Sequence, residues 1–231
     1  MPVIRIEFTK EGNAKYISHL DLIRAIQRAV RRAGVPVEYS KGFNPHSKIA
    51  YSPALAVGIS SSAEYLDMSL ESPVEETGLV ERLNSSLPAG IRVTAAKYLP
   101  DGAPSLNAVI GAAAYRITGR PAVWTQGLEQ KLRDFFEKES IFIERTDKKG
   151  RKKQVDIKPM IAEIQKVLVT DGGVLLDVVL DTGSRSNLKP TDLVEALERD
   201  TDIQFQDVCI HRKGLFVKRG GRYFSPLELM N

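Results

Sequence analysis

Residues 16–51 read YISHLDLIRAIQRAVRRAGVPVEYSKGFNPHSKIAY, and the reading of the rest of the chain depends on them. Ser18 is a good N-cap, because its hydroxyl accepts a bond from an otherwise unpaired N–H of the first turn. Asp21 adds a negative charge at the positive helix end, and Ile17 packs back as a staple. Leu20, Ile23, Ile26, Val30 and Ala33 recur at helical spacing and predict an apolar face. Arg24, Arg28, Arg31 and Arg32 fall on another sector. Gly34 suits the position after the helix and Pro36 blocks its continuation, so the spacing predicts a helix over 18–33.

The arginine face has two readings. Most charged helix faces are simply solvated. The sharper expectation is a phosphate-binding surface, since the guanidinium fork donates two bonds to one anion. The segment after the helix is less ordinary. Within Tyr39, Ser40, Lys41, Gly42, Phe43, Asn44, Pro45, His46, Ser47 and Lys48 stand hydroxyls, two ammonium groups, an amide, an imidazole and two rings. Gly42 permits a tight backbone turn and Asn44-Pro45 is a turn signal. His46 is a candidate general base, a phosphate contact or a surface histidine, and no partner triad accompanies it.

Outward from this stretch the elements fall into an order. VIRIEF at 3–8 alternates, with Ile4, Ile6 and Phe8 on the core face and Val3, Arg5 and Glu7 on a face expected to meet solvent or a partner. Val37–Tyr39 starts a second strand that resumes over 49–59, broken by Pro53, and Ser60–Ser62 reads as a turn. Tyr65, Asp67 and Ser69 alternate with Leu66, Met68 and Leu70 in a third strand. Ser72 and Pro73 open a helix over 73–87, with Glu75 and Glu76 in its first turn. Ile91–Leu99 is a fourth strand. The order β-α-β-β-α-β is that of a ferredoxin-like domain.

PDGAP at 100–104 reads as a linker. Beyond it come strands at 113–118, 142–146, 154–157, 166–170, 174–180 and 205–211, and helices at 125–138 and 191–199. The tight turn Asp171-Gly172-Gly173 joins two of the strands. The expected fold class is α+β: two ferredoxin-like (βαββαβ) or related α/β-sandwich halves with antiparallel sheets. The alternative is one continuous sheet shared by both halves. The expected domains are 1–100, 105–213 and a basic tail, 214–231.

The run SHLDLIRAIQRAVRRAGVPVEYSKGFNPHSKIAYSPALAVGISSSAEYLDMSL resembles the radical-SAM-linked bacterial family of unknown function (domain of unknown function 2344). The likeness is dense over 3–100 and continues through R-x-x-x-K-G-R-x-x-x-x-D-I-K-P at Arg145–Pro159. The resemblance implies a protein found alone or fused behind a radical SAM module. It also implies genes set beside those of ribonucleases and ribosomal proteins, and hence RNA or translation work. It brings no catalytic residues.

Composition sets the outer bounds. The chain has 231 residues, 42% hydrophobic and 27% charged, which is ordinary for a globular protein. A net charge of +4 is a mild excess, compatible with a nucleic-acid partner. The only cysteine, Cys209, lies in an apolar alternation and is expected to be buried in a strand. One thiolate cannot hold an iron–sulfur cluster, so a radical SAM partner would carry its own. No metal site or cofactor is expected from one Cys and three scattered His. The start lacks the apolar run of a signal sequence, no apolar stretch has membrane-spanning length, and a cytoplasmic protein is expected.

Besides the helix face with Lys41 and Lys48, two more basic patches stand out. One is Lys148, Lys149, Arg151, Lys152 and Lys153. The other is Arg212, Lys213, Lys218, Arg219 and Arg222, interleaved with Phe216, Tyr223 and Phe224. Cations mixed with rings suit RNA, whereas solvation or docking accounts for such patches equally well. Phosphate-cradling glycine motifs are absent. Three functions are therefore expected in competition. The first is an RNA-binding, RNA-processing or translation-associated accessory protein using Arg24, Arg28, Arg31, Arg32, Lys41, Phe43, Asn44, His46 and Lys48. The second is an interaction or substrate-presenting module for a radical SAM enzyme. The third is a metal-independent RNA endonuclease, with His46, His19 and Tyr39 as catalytic candidates.

Overall fold

The computed structural model describes residues 1–147 and 149–228, so Lys148 and the last three positions of the expected tail lie outside the described residues. The protein is mixed α/β, with five α-helices among the described residues and mostly antiparallel strand pairing. It divides into two compact units. One is Met1–Gly111 with Arg212–Asn231, and the other is Ala112–His211. Among the described residues no helix is long and apolar enough to cross a membrane.

The first unit runs β1 (Val3–Lys10), a 3-10 turn (Gly12–Tyr16), α1 (His19–Arg32), β2 (Ile49–Tyr51), β3 (Ser60–Ser69), α2 (Glu76–Ser86), β4 (Ile91–Tyr98) and a short α3 (Leu106–Val109). β1 pairs antiparallel with both β3 and β4, which gives the path β4-β1-β3, and the three-residue β2 pairs with β3 off that path. Ile4, Ile6 and Phe8 pack with Leu66, Met68 and Leu70 under α1 and α2, as the alternation predicts. Gly90, at φ +86, closes the turn where the N–H of Glu11 donates to its carbonyl; a Cβ there would sit 2.5 Å from the Glu11 oxygen.

Several expectations need correction. The buried stripe of α1 is Leu22, Ala25, Ile26, Ala29 and Val30, while Leu20 is 64% exposed and Ile23 only half-buried. Ala25 and Ala29 occupy core positions, so the buried face is turned from the one that the large apolar residues mark. The β1 face bearing Arg5 and Glu7 is largely covered, with Arg5 buried and Val3 and Glu7 half-buried. Arg5 is buried in a forked ion pair with Asp67 (2.7 and 2.9 Å), and its remaining N–H groups donate to the carbonyls of Pro226 and Pro104. The PDGAP segment is thus docked rather than free. Glu7 accepts from the Tyr65 hydroxyl (2.7 Å), which also meets Ser225.

Two boundaries shift for local reasons. α2 starts at Glu76, because Glu75 caps it by accepting from the N–H groups of Thr77 and Gly78, and Tyr98 holds Val74 extended through both backbone groups. Ser60–Ser62 belongs to β3 instead of a turn, with Ser61 opposite Lys10. The irregular stretch is 52–59, where Ser52 bonds Tyr65 through its backbone and its hydroxyl.

In the second unit β5 (Ile110–Pro121) is followed by α4 (Leu128–Glu137), the hairpin β6 (Phe142–Thr146) and β7 (Lys152–Asp156), β8 (Ile161–Thr170), β9 (Gly173–Asp181) and α5 (Pro190–Thr201). Then β10 (Phe205–Arg219) leads to β11 (Arg222–Phe224). The order here is β10-β5-β9-β8, with β6 and β7 forming their own sheet. Leu132, Phe135 and Phe136 of α4 and Leu193, Ala196 and Leu197 of α5 are buried, as are Val174, Leu176, Val178 and Leu180 of β9. The expected β8–β9 turn is present. Gly173, at φ +138, lies so close to Gly119 that a Cβ would sit 2.6 Å from its carbonyl oxygen.

β10 is longer than the strand expected over 205–211 and carries the chain from the second unit into the first. Cys209 is exposed, contrary to its expected burial: Asp207 sits at φ +52 and interrupts the pleat, so the alternation read across it fails. The basic tail folds back at Gly220-Gly221 to form the β10–β11 pair, with Phe216 and Tyr223 edge to face. Arg212, expected on a basic patch, is 3% exposed and paired with Glu64.

Candidate nucleic-acid interface

The segment after α1 is a hairpin rooted on the first unit's sheet. Val37 bridges Leu70, the N–H of Glu38 donates to Ser69 (2.9 Å), and the N–H of Ser69 donates to Lys48 (3.0 Å). Lys48 donates in turn to the carbonyl of Glu38, Tyr39 bridges Ser47, and Ser40 donates to the carbonyl of His46. The tip is therefore Lys41-Gly42-Phe43-Asn44-Pro45, with Gly42 at φ +137. The Ser40 hydroxyl accepts from the backbone N–H of His46 (3.1 Å) and meets its Nδ1 (2.9 Å), which orients the ring. Lys48 is ion-paired to Glu38. Lys41, Asn44 and His46 are exposed, and Phe43 is fully so.

A phenyl ring without packing keeps its whole apolar face in water, and full burial of such a side chain yields ~1.5–3 kcal/mol. That gain is unrealised at the tip, although the hairpin's root is secured by backbone bonds.

The four helix arginines are not equivalent. Arg24 pairs with Asp21 (3.3 Å), and Arg32 donates to the carbonyl of Ser86. The Asp21 carboxyl is held below its ordinary pKa mainly by the Ser18 hydroxyl, with Arg24 contributing. Arg28 and Arg31 are exposed and have no ion-pair partner among the described residues. Arg31 and Arg32 end α1 only a few residues before the hairpin root, so the loop and the last helical turn share one end of the unit.

His19 does not join them. It opens α1, and 13 residues of helix at ~1.5 Å each put it about 20 Å from Arg32. Its ring meets Tyr51 edge-on at 5.9 Å. Burial lowers its pKa, Glu64 opposes this and Lys10 reinforces it. Burial also raises the pKa of the Tyr51 hydroxyl, which has no hydrogen-bond partner among the described residues. Lys10 is fully buried and donates to the carbonyl of Ile17 (3.0 Å). Its pKa is lowered by burial first, against the pull of Glu64. Arg212 reaches both oxygens of Glu64 at 2.9 and 3.0 Å.

Sequence reasoning missed this group, because its members come from β1, α1, β2, β3 and β10. Its one legible sign was the presence of charged residues in strands that otherwise read as core. Lys10, Glu64 and Arg212 spend their polar atoms on each other and on backbone carbonyls, which suits a structural network. Tyr16 is exposed beneath the Lys15 ammonium. Tyr39 does share the hairpin with His46.

The profile of a bacterial family, described as an uncharacterized protein conserved in bacteria (DUF2344), matches residues 3–190. The chain belongs to this family. No curated protein matches it. Among solved structures, a crystal structure of an unknown protein from Galdieria sulphuraria is similar over 91% of this chain and 98% of that one. The identity is 11% and the TM-score 0.25.

Proposed function

We propose that this protein is an RNA-binding accessory protein that engages an unpaired stretch of RNA through the hairpin after α1. The observation that carries the reading is Phe43: a fully exposed ring at the tip of an anchored hairpin, between Lys41 and Asn44. Such a ring stacks on any base, and the neighbouring cations hold the phosphates. Arg28 and Arg31 are the helix cations left free to do so. Arg24, Arg32 and Lys48 would first have to exchange a protein partner. The path β4-β1-β3 with α1 and α2 packed on one face supports a ferredoxin-like reading of the first unit, although β10 follows β3 there and the short β2 pairs off the path.

Binding of fluorescently labelled single-stranded RNA tests this. Phe43→Ala is expected to weaken binding by about 5- to 150-fold, the range of one stacked base at ~1–3 kcal/mol. Arg28→Ala with Arg31→Ala is expected to flatten the salt dependence between about 50 and 200 mM by roughly 0.7 per charge removed. A protein with no RNA affinity at the low-salt end refutes the reading. His46→Ala serves as the cleavage control, because loss of RNA cutting with retained binding would instead favour the endonuclease.

A second reading, a docking module for a radical SAM enzyme, is supported by the other end of α1. Tyr16, Leu20 and Val57 are 62%, 64% and 58% exposed there, and the N–H of Gly58 donates to Lys15, which brings their segments together. Co-purification with such an enzyme, abolished by Leu20→Glu, tests it.

A further inference from the structure

In the second unit, β6, the segment joining β9 to α5, and α5 itself line an open cleft of about 720 Å³. That is within the range of small-molecule sites. Its lining is polar. Arg145 comes from β6, and Ser184, Arg185, Ser186, Asn187 and Lys189 come from the joining segment. Of the acids on its wall, Glu144 is paired with Lys152 and Asp192 with Arg145, which leaves Glu195. Arg185 and Lys189 are exposed and have no ion-pair partner among the described residues.

Arg145 is held in place by Asp192 (3.2 Å) and the carbonyl of Asn187 (2.9 Å). A ligand therefore meets a guanidinium already ordered, which lowers the entropy cost of binding. Arg145 also lies directly opposite Lys153 across the hairpin, on the same face. Two like charges in that position repel, and Asp192 offsets the repulsion at Arg145. Arg145 belongs to the R-x-x-x-K-G-R-x-x-x-x-D-I-K-P stretch, whose Asp156 closes the hairpin base by accepting from the N–H groups of Ile141 and Lys158. Of that stretch, Arg145 and Thr146 line the cleft.

We propose that this cleft binds a ribose phosphate. The phosphate sits between Arg185, Lys189 and Arg145, and Ser184 and Ser186 bond the sugar hydroxyls. An apolar ligand would find little to cover, whereas a sugar phosphate matches both the cations and the hydroxyls. The proposal is independent of the hairpin reading in the first unit.

Calorimetric titration of the full chain with ribose 5-phosphate, and separately with a short oligoribonucleotide, tests it. Both are run on the Phe43→Ala background, so that the first unit's hairpin does not contribute. Binding of ribose 5-phosphate that falls by roughly tenfold or more in Arg185→Ala with Lys189→Ala identifies a free sugar phosphate as the ligand. Binding of the oligoribonucleotide alone, with the same loss, identifies the RNA backbone. Both side chains are exposed, so an unchanged circular dichroism melt verifies the fold of the variant. No binding of either probe, or binding that the double substitution leaves intact, overturns the proposal.

Discussion

Arg5→Met isolates the ion pair on the buried back of the first unit's sheet. The Arg5 and Asp67 side chains are 4% and 10% exposed, and the guanidinium also holds the Pro104 and Pro226 carbonyls. Methionine replaces the aliphatic stem but leaves the Asp67 carboxylate without its counter-charge. Breaking a buried pair in this way costs ~3–5 kcal/mol. Total stabilities are ~5–15 kcal/mol, so this is a large fraction. At ~2–4 °C per kcal/mol for a chain of this size, the melting temperature should fall by about 6–20 °C. Urea denaturation followed by far-ultraviolet circular dichroism, with calorimetry alongside, measures both. Adding Asp67→Leu should recover most of the loss, since an apolar pair of similar volume replaces a buried ion pair at little cost. A single-variant loss below about 1 kcal/mol, the size of an exposed pair, refutes the argument. So does a double variant no better than the single one.

Two further predictions concern the buried group around Glu64. Tyr51→Phe removes a hydroxyl that lacks a hydrogen-bond partner among the described residues, so stability should rise by about 1 kcal/mol. A urea midpoint that drops instead would show the hydroxyl to be bonded. His19 has its folded pKa depressed below 6.5 by burial, with Glu64 and Lys10 as its charged neighbours. Between the depressed value and 6.5 the unfolded chain binds a proton that the folded chain does not, so His19 makes stability fall as pH drops through that window. His19→Leu should flatten this slope. Identical slopes in wild type and variant would count against a half-buried imidazole with a depressed pKa.

The hairpin shows how far local reading goes. Turn chemistry at Gly42 and Asn44-Pro45 marked 39–48 as a loop rich in binding groups, and its exposed tip agrees. Sequence did not reveal that Lys48 is paired to Glu38, or that Ser40 orients His46, because both depend on the hairpin register. The arginine face was legible as a face. Which arginines stay free was decided by Asp21 and by the carbonyl of Ser86, 54 residues beyond Arg32.

The sequence by itself determined the features that rest on neighbours along the chain. These include the Ser18 cap and Gly34 stop of α1, the inward face of β1 at Ile4, Ile6 and Phe8, and the tight β8–β9 turn. Tertiary structure alone decided that Arg5 and Arg212 are core residues, since their partners Asp67 and Glu64 lie 62 and 148 positions away. A buried ion pair is tolerated only where its opposite charge meets it in space. That meeting leaves no trace in local periodicity, so such charges read as surface until the strands are paired.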